Sequence, residues 1–324
     1  MTSGDEATSH QLLTDIFNNK LTPKAIKHLL EEMSQRGESV DEIVGFAKAM
    51  REAMITVPNV PKPSIDICGT GGTGKDRFNI STASAFVLAS MGVTVAKHGN
   101  YGSKQANGSF NFLESLGIQF DLTPQQTSQQ LHDKKCAFLF ARHYHPAMKV
   151  VAPIRKEIGS RTIFNCLGPL CNPAQVSHQI VGTYSLTLGK KLAQAFTRLN
   201  QKRALVIVGA DGVDECAIAG ENTIFDCKNG SVKELTFNAE SLNINTQPYE
   251  CGDANQNAAL FKDVFSHGNS HHPLSQHIAL NSGIALWCLE KVNTIEDGYH
   301  QSLHQVQTKA AWQTFLTIVS KCIS

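Results

Sequence analysis

Four glycines, Gly69, Gly71, Gly72 and Gly74, fall within six residues of one another. Glycine admits positive φ, so successive N–H groups in such a turn can converge on an oxyanion. Asn79, Ser81 and Thr82 lead from this turn into the apolar run 83–91, which predicts a helix with capping residues at its start. The N-terminus of that helix offers free N–H donors and partial positive charge, so phosphate is its natural guest. Lys97, His98, Gly99 and Asn100 end the next apolar stretch. A lysine there supplies a mobile positive charge, and asparagine can donate and accept at once. Far downstream, GADGVDE (residues 209–215) sets Asp214 beside Glu215. In a straight strand the two would face opposite ways, but Gly212 predicts a loop, where both can turn toward one site. Such oxygen ligands suit Mg²⁺, which binds through one or two carboxylates plus substrate phosphates. Taken singly, these features read as a surface turn, a structural histidine and a solvated acidic loop. Together they predict a magnesium-bound phosphorylated substrate and a transfer or hydrolysis reaction.

Other signals are weaker. Arg142 and residues 143–146 follow a predicted strand, Arg155 comes a helix length later, and Arg161 and Asn165 precede the turn Leu167, Gly168, Pro169. For the basic residues on the helix read across HPAMKVVAPIRKEIG (145–159), spacing alone favours solvent over an acidic ligand. The chain has no G-x-S-x-G elbow, no GxxxxGK[ST] loop and no complete dinucleotide fingerprint. His271 and His272 sit in a polar stretch and read as solvated. The nine cysteines form no CxxC pair, so reduced, buried thiols are expected.

These residues must be placed by elements that the pattern also reveals. At 324 residues the chain predicts about two domains. Lys plus Arg number 29 against 28 for Asp plus Glu, which argues against a general electrostatic nucleic-acid binder. The polar first residues and the absence of an apolar run of about 18 residues predict a soluble, cytoplasmic protein without a membrane span. Residues 8–55 read as wholly helical, with Thr22-Pro23 opening one helix and a Ser39–Glu42 capping box opening another. Residues 55–64 carry three prolines and read as a linker. Beyond it, candidate strands 65–68, 93–97, 137–140, 179–184 and 203–208 alternate with candidate helices 82–91, 109–116, 124–134 and 188–199. This predicts an α/β fold: a small N-terminal helical domain (1–63, with a contribution expected from about 155–175) and a large domain (64–324) with a mostly parallel sheet flanked by helices. A short antiparallel addition is expected in LTFNAESLNI, and helices from Asn255 onward. Ligands of open parallel sheets sit beyond the carboxyl ends of the strands, so the polar loops there are expected to share one crevice.

The motifs GTGG (69–72), NIST (79–82), KHGN (97–100), GADGVDE (209–215) and the long block YHPAMKVVAPIRKEIGSRTIFNCLGPLCNPA (144–174) resemble those of the anthranilate phosphoribosyltransferases. That family is related to the pyrimidine nucleoside phosphorylases, and the resemblance spans nearly the whole chain. It implies transfer of phosphoribose from phosphoribosyl pyrophosphate to the amino group of anthranilate, two Mg²⁺ ions, and a homodimer joined through the helical domain. It also implies that Gly69, Gly71, Gly72, Asn79, Ser81, Thr82 and Lys97 hold the donor's pyrophosphate and 5-phosphate, with Ser109 also in reach of a phosphate. Ser81 would ligate one ion, and Asp214 with Glu215 the other. His98, Asn100, His145, Arg155 and Pro169 would line the anthranilate path, Arg155 pairing with its carboxylate. His98 and Arg155 then stand nearest to a catalytic role. An aromatic amine is already neutral at pH 7, so the work lies in stabilising a departing polyanion and the cationic ribosyl centre.

Two departures stand out. Thr73 takes the place of the family's usual aspartate, with Asp76 three residues on. The usual serine-rich SSxSGSAD is replaced by KQANGSFN, bringing in Lys104, Gln105 and Asn107 while Gly108 and Ser109 survive. A pyrimidine nucleoside phosphorylase, or a non-catalytic relative binding protein or nucleic acid, therefore stays open beside the transferase.

Overall fold

A computed structural model describes residues 4–71, 77–102 and 106–320. The first helices start where their caps predict. Asp5 caps α1 (Glu6–Phe17), Thr22 caps α2 (Pro23–Arg36) with Pro23 in its first turn, and the reciprocal Ser39–Glu42 box opens α3 (Val40–Ala53). The chain then crosses to β1 (Ser64–Gly69), α4 (Ile80–Ser90), β2 (Thr94–Gly99), α5 (Ser109–Leu116), α6 (Pro124–Lys134) and β3 (Cys136–Phe140). Next come α7 (Ala141–Tyr144), α8 (Ala152–Ile158), α9 (Phe164–Leu170), β4 (His178–Gly182), α10 (Leu186–Arg198) and β5 (Arg203–Val208). A hairpin of β6 (Glu221–Lys228) and β7 (Ser231–Asn238) precedes α11 (Ala254–His267), α12 (Pro273–Cys288), α13 (Ile295–Gln307) and α14 (Ala310–Val319). None of these helices is long and apolar enough to cross a membrane.

The strands form one sheet in the order β3-β2-β1-β4-β5-β6-β7. The first five run parallel and the last two pairings are antiparallel. Strand order reverses between β1 and its two neighbours, β2 and β4, which opens a crevice at their carboxyl ends. The turns after β1, β2, β4 and β5 border that crevice.

Three elements differ from the sequence reading for local reasons. The helix read across the Pro146–Arg155 block is split into a 3-10 turn (Pro146–Lys149) and α8, because Pro153 lacks an N–H and fits only a first turn. The antiparallel pair lies earlier than expected: Asn229 (φ 52°) and Gly230 (φ 74°) supply the two positive-φ positions of a tight hairpin turn, so β6 joins β7 there. Residues 239–242 of the expected strand form a 3-10 turn instead. β4 stops at Gly182, short of the predicted Tyr184, and Thr183 N–H turns to the carbonyl of Ile207.

Helices cover both faces. On one, α4 packs under α12 and α14 around Phe86, whose ring meets those of Phe138, Phe261 and Phe315 at 5.4–5.7 Å. On the other, buried residues of α1–α3, among them Leu13, Ile26, Leu30 and Phe46, share a core with Ile154, Phe164 and Leu167 of α8 and α9 and with Phe196 of α10. Residues 152–170 thus pack against the N-terminal helices. Truncating the central ring, Phe86→Ala, is expected to cost about 3–5 kcal/mol in denaturant unfolding, because three aromatic neighbours cannot collapse into the space. A loss below about 1 kcal/mol would contradict this packing.

Candidate active site

Alternation along β2 splits the site into two chemistries. Val95 and Lys97 lie on the sheet face that also carries Ile65 and Ile67, against α4; His98 lies on the opposite face, against α9. Lys97 is 2% exposed, and its ammonium donates to the carbonyl of Ile67 and, at 3.2 Å, to Ser81 Oγ at the start of α4. The expected mobile charge is therefore a fixed one, held beneath the helix that faces the glycine turn.

The glycine turn and the acidic turn meet directly. Gly71 (φ +64°) donates its N–H to Asp214 Oδ2 at 3.1 Å. A Cβ on Gly69 would stand 2.3 Å from the same oxygen, and one on Gly182 only 1.6 Å from the Asp214 carbonyl. Only glycine lets the acidic turn settle at these two strand ends. Gly72 lies outside the described residues, as do Thr73, Asp76, Lys104 and Gln105.

Around this contact several buried polar atoms have no hydrogen-bond partner among the described residues: Thr70 Oγ1, Asn79 Oδ1, Thr82 Oγ1, Arg77 Nη1, Arg161 Nη2 and Thr183 Oγ1. Unpaired buried polar atoms are rare in folded proteins, and here they gather where a polyanion would lie. Asn79 occupies the cap position of α4 without capping it; its Nδ2 donates instead to the Asn107 carbonyl at 3.3 Å. Asn107 is itself a clasp, its Nδ2 donating to the carbonyls of Arg77 and Gly252 at 2.9 Å. This gives one of the departures from the family pattern a structural role. Ser109 Oγ donates to the Asn100 carbonyl at 3.2 Å and closes that loop.

The second chemistry is aligned along α9. His98 Nδ1 meets the Gly168 carbonyl at 3.2 Å, and its Nε2 lies 3.3 Å from His145 Nε2. Burial depresses both imidazoles, to about 3 for His98 and about 4 for His145, so both are neutral near pH 7. At the other end of α9, the Arg155 guanidinium lies 5.4 Å over the Phe164 ring and has no ion pair among the described residues. Burial lowers its pKa as well, the state of a cation short of a carboxylate. Pro169 is buried within α9 and its carbonyl accepts from Gln179 Nε2 at 2.7 Å. Asn100 is exposed at the rim, its Oδ1 accepting from Tyr101 N–H at 2.8 Å.

Four participants were not identified from the sequence as site residues. Asp66 accepts from His98 N–H (3.2 Å), Asn172 Nδ2 (2.8 Å) and Gln179 Nε2 (3.1 Å), tying β2, α9's exit and β4 together; burial raises it to about 6. Its signal was an aspartate inside an apolar strand. Arg77 faces Asp214 at 3.7 Å, and Arg161 Nη1 donates to the Gly71 carbonyl at 2.7 Å. His277, on α12, links Tyr249 Oη (2.7 Å) to the Cys216 carbonyl (2.9 Å) and so backs the acidic turn. A cleft of about 300 Å³, lined in part by Arg77, Glu215, Tyr249 and His277, opens beside it.

The acidic pair suits a divalent cation. Burial raises Asp214, and burial together with the Asp214 charge raises Glu215 to about 8. Glu215 has no hydrogen bond or ion pair among the described residues, so its ionised form lacks a paired countercharge. No group of three or more His, Cys, Asp or Glu side chains could hold a metal among the described residues. A metal here would therefore complete its shell with hydroxyl, water and substrate oxygens, as Mg²⁺ does.

The sequence comparisons agree with this layout. Residues 5–54 match the helical bundle domain of the glycosyl transferase family and residues 61–312 its a/b domain, so fold and site define a two-part glycosyl transferase. The anthranilate phosphoribosyltransferase of Geobacillus kaustophilus is 39% identical over 319 residues, covering 98% of this chain and 94% of that one. The Thermus thermophilus anthranilate phosphoribosyltransferase crystal structure superposes with a TM-score of 0.90 at 33% identity, covering 98% and 95% of the two chains. The Saccharomyces cerevisiae enzyme, solved in complex with PRPP and Mg, shares the fold at TM-score 0.87 and 23% identity, over 97% and 92%. The chain belongs to the anthranilate phosphoribosyltransferase family.

The raised Glu215 makes a pH signature. A carboxyl whose folded pKa lies above its unfolded value stabilises below the unfolded value and loses that stability as pH rises through the folded pKa. In metal-free protein, thermal stability is expected to fall between about pH 4.5 and 8, and Glu215→Gln to flatten that stretch. An unchanged slope in the variant would remove the buried carboxyl from the account.

Proposed function

We propose that this protein transfers the 5-phosphoribosyl group from phosphoribosyl pyrophosphate to the amino nitrogen of anthranilate, yielding N-(5-phosphoribosyl)anthranilate and pyrophosphate in tryptophan biosynthesis. The observation that carries this reading is the seating of Asp214 against Gly69 and Gly71, which joins an acidic pair to a phosphate turn at the switch point of the sheet. Asp214 and Glu215, with Ser81, would hold magnesium, and we propose two ions. Bound there, the metal would supply positive charge to the diphosphate of the donor.

The chain's own residues do the rest. The turn at Gly69 and Gly71, with Asn79, Thr82 and the α4 N-terminus, receives the phosphates, and Gly72 and Ser109 are assigned to the same group. Lys97, anchored to Ser81, sets a fixed charge beneath them. His98, His145, Asn100 and Pro169 line the acceptor's route, and Arg155 takes the carboxylate. In the transfer, the amine lone pair bonds to the anomeric carbon while the carbon–oxygen bond breaks with its electrons kept by pyrophosphate; the nitrogen then loses a proton to water. Neutral imidazoles at His98 and His145 keep the acceptor side free of charge that would repel the ribosyl cation. We assign residues 1–63, with about 155–175, to a helical domain and 64–324 to a catalytic one, a homodimer through the helical domain, and a cytoplasmic location.

The test is a fluorescence assay of anthranilate consumption by purified protein with phosphoribosyl pyrophosphate and Mg²⁺; no consumption at millimolar donor would refute the activity. Asp214→Ala is expected to lower kcat by about a hundredfold or more while leaving the protein folded by circular dichroism. A rate close to wild type would take away its metal role. Arg155→Ala is expected to raise the anthranilate KM about tenfold and the donor KM less than about threefold. Equal rises in both would undo the carboxylate assignment.

A further inference from the structure

Two arginines outside the residues assigned above converge on the contact between the glycine and acidic turns. Arg77 comes from the segment entering α4, and its Nη1 stands 3.7 Å from Asp214 Oδ1, too far for a hydrogen bond. Arg161 comes from the connector between α8 and α9, and its Nη1 donates to the Gly71 carbonyl at 2.7 Å. The N–H of that same glycine is the one that Asp214 takes at 3.1 Å. Both guanidiniums lower the Asp214 carboxyl electrostatically, so both lie within range of one group.

Each also keeps a nitrogen out of solvent and unbonded among the described residues, Nη1 of Arg77 and Nη2 of Arg161. A guanidinium has five donors in a rigid plane, and buried donors left over in two of them at one place point to an acceptor with several oxygens. Both arginines are held for such use. The Arg161 plane stacks over the Tyr184 ring at 4.6 Å, and its carbonyl accepts from Ser34 Oγ of α2 at 2.9 Å. The Arg77 carbonyl accepts from two side-chain amides, Asn107 Nδ2 at 2.9 Å and Asn257 Nδ2 at 3.0 Å. A structural ion pair does not account for both: Asp214 accepts its hydrogen bond from Gly71 and meets Arg77 only at 3.7 Å, and Arg161 has no ion pair among the described residues. The Cys166 thiol beside Arg161 is pushed up to about 12 by burial and offers it no charge.

We infer that Arg77 and Arg161 bind the diphosphate end of the donor and the pyrophosphate released from it, sharing with the divalent cation the neutralisation of that leaving group. This rests on the transferase reading above. Arginine stays protonated at any working pH, so its share does not depend on metal. Pyrophosphate is therefore expected to bind the protein even with magnesium removed.

The experiment is calorimetric titration of inorganic pyrophosphate into the full-length protein, with Mg²⁺ and with EDTA. Wild type is expected to bind in both. Arg77→Gln and Arg161→Gln should each weaken binding in EDTA by about tenfold or more, with the anthranilate KM within about twofold of wild type. Lysine variants keep the charge and lose the fork, so a loss of about threefold is expected; they decide the matter if a glutamine variant melts early. Binding within about twofold of wild type in all four variants, or no wild-type binding in EDTA, overturns the inference. Turnover of anthranilate is followed alongside. Arginine-dependent pyrophosphate binding without product would refute the transferase reading and leave the clamp, whereas turnover with unaffected variants would refute the clamp alone.

Discussion

The acidic turn can reach the glycine turn only because two strands end without a side chain. Gly69 on β1 and Gly182 on β4 are the neighbours between which Asp214 is lodged, and any Cβ at Gly182 would overlap its carbonyl. The constraint is steric, yet its result is electrostatic. A carboxylate is brought within hydrogen-bond distance of a backbone amide that would otherwise point into the crevice, and its neighbour Glu215 is left buried and short of positive charge. Removing two charges from water costs several kcal/mol each unless a counter-ion is supplied, so a bound cation would favour the ionised form of this pair.

The rest of the molecule keeps that meeting point in place. Asp66, under the sheet end, accepts three hydrogen bonds from three elements and so locks the strand bearing Lys97 and His98 to β4 and to the residues following α9. His277 and Tyr249 hold the acidic turn from behind. On the outer side, α8 and α9 pack into the same core as α1–α3, which places Arg155 and Arg161 on a surface supported by the N-terminal helices.

Much of this was legible in the chain. Caps and apolar spacing placed α5 and α6 at their observed ends, and the five parallel strands fell within a residue or two of the predicted ones, because period and capping are local properties. The glycine turn and the acidic pair were visible as residue types, and the structure brings the two together. What local pattern could not reveal was tertiary. The fixed ammonium of Lys97 depends on the carbonyl of another strand and a hydroxyl on a helix, and Asp66, Arg77 and His277 acquire their roles from partners up to 180 residues away. Arg161 drew no role from spacing, and it is the packing of its connector against α2 that holds it inward. β6 escaped notice because its outward face is polar and its turn residues, Asn229 and Gly230, carry the hairpin signal alone.

The division of labour along β2 has a wider bearing on how such a chain can change. Lys97 and His98 are adjacent, and they meet different partners only because the pleat sends them to opposite faces. A single inserted or deleted residue ahead of them could leave every ladder bond of the sheet intact and still exchange the two faces, setting an ammonium against α9 and a neutral ring beneath the start of α4. Tolerance to substitution and tolerance to slippage are therefore separate properties at this strand, and the second is close to zero.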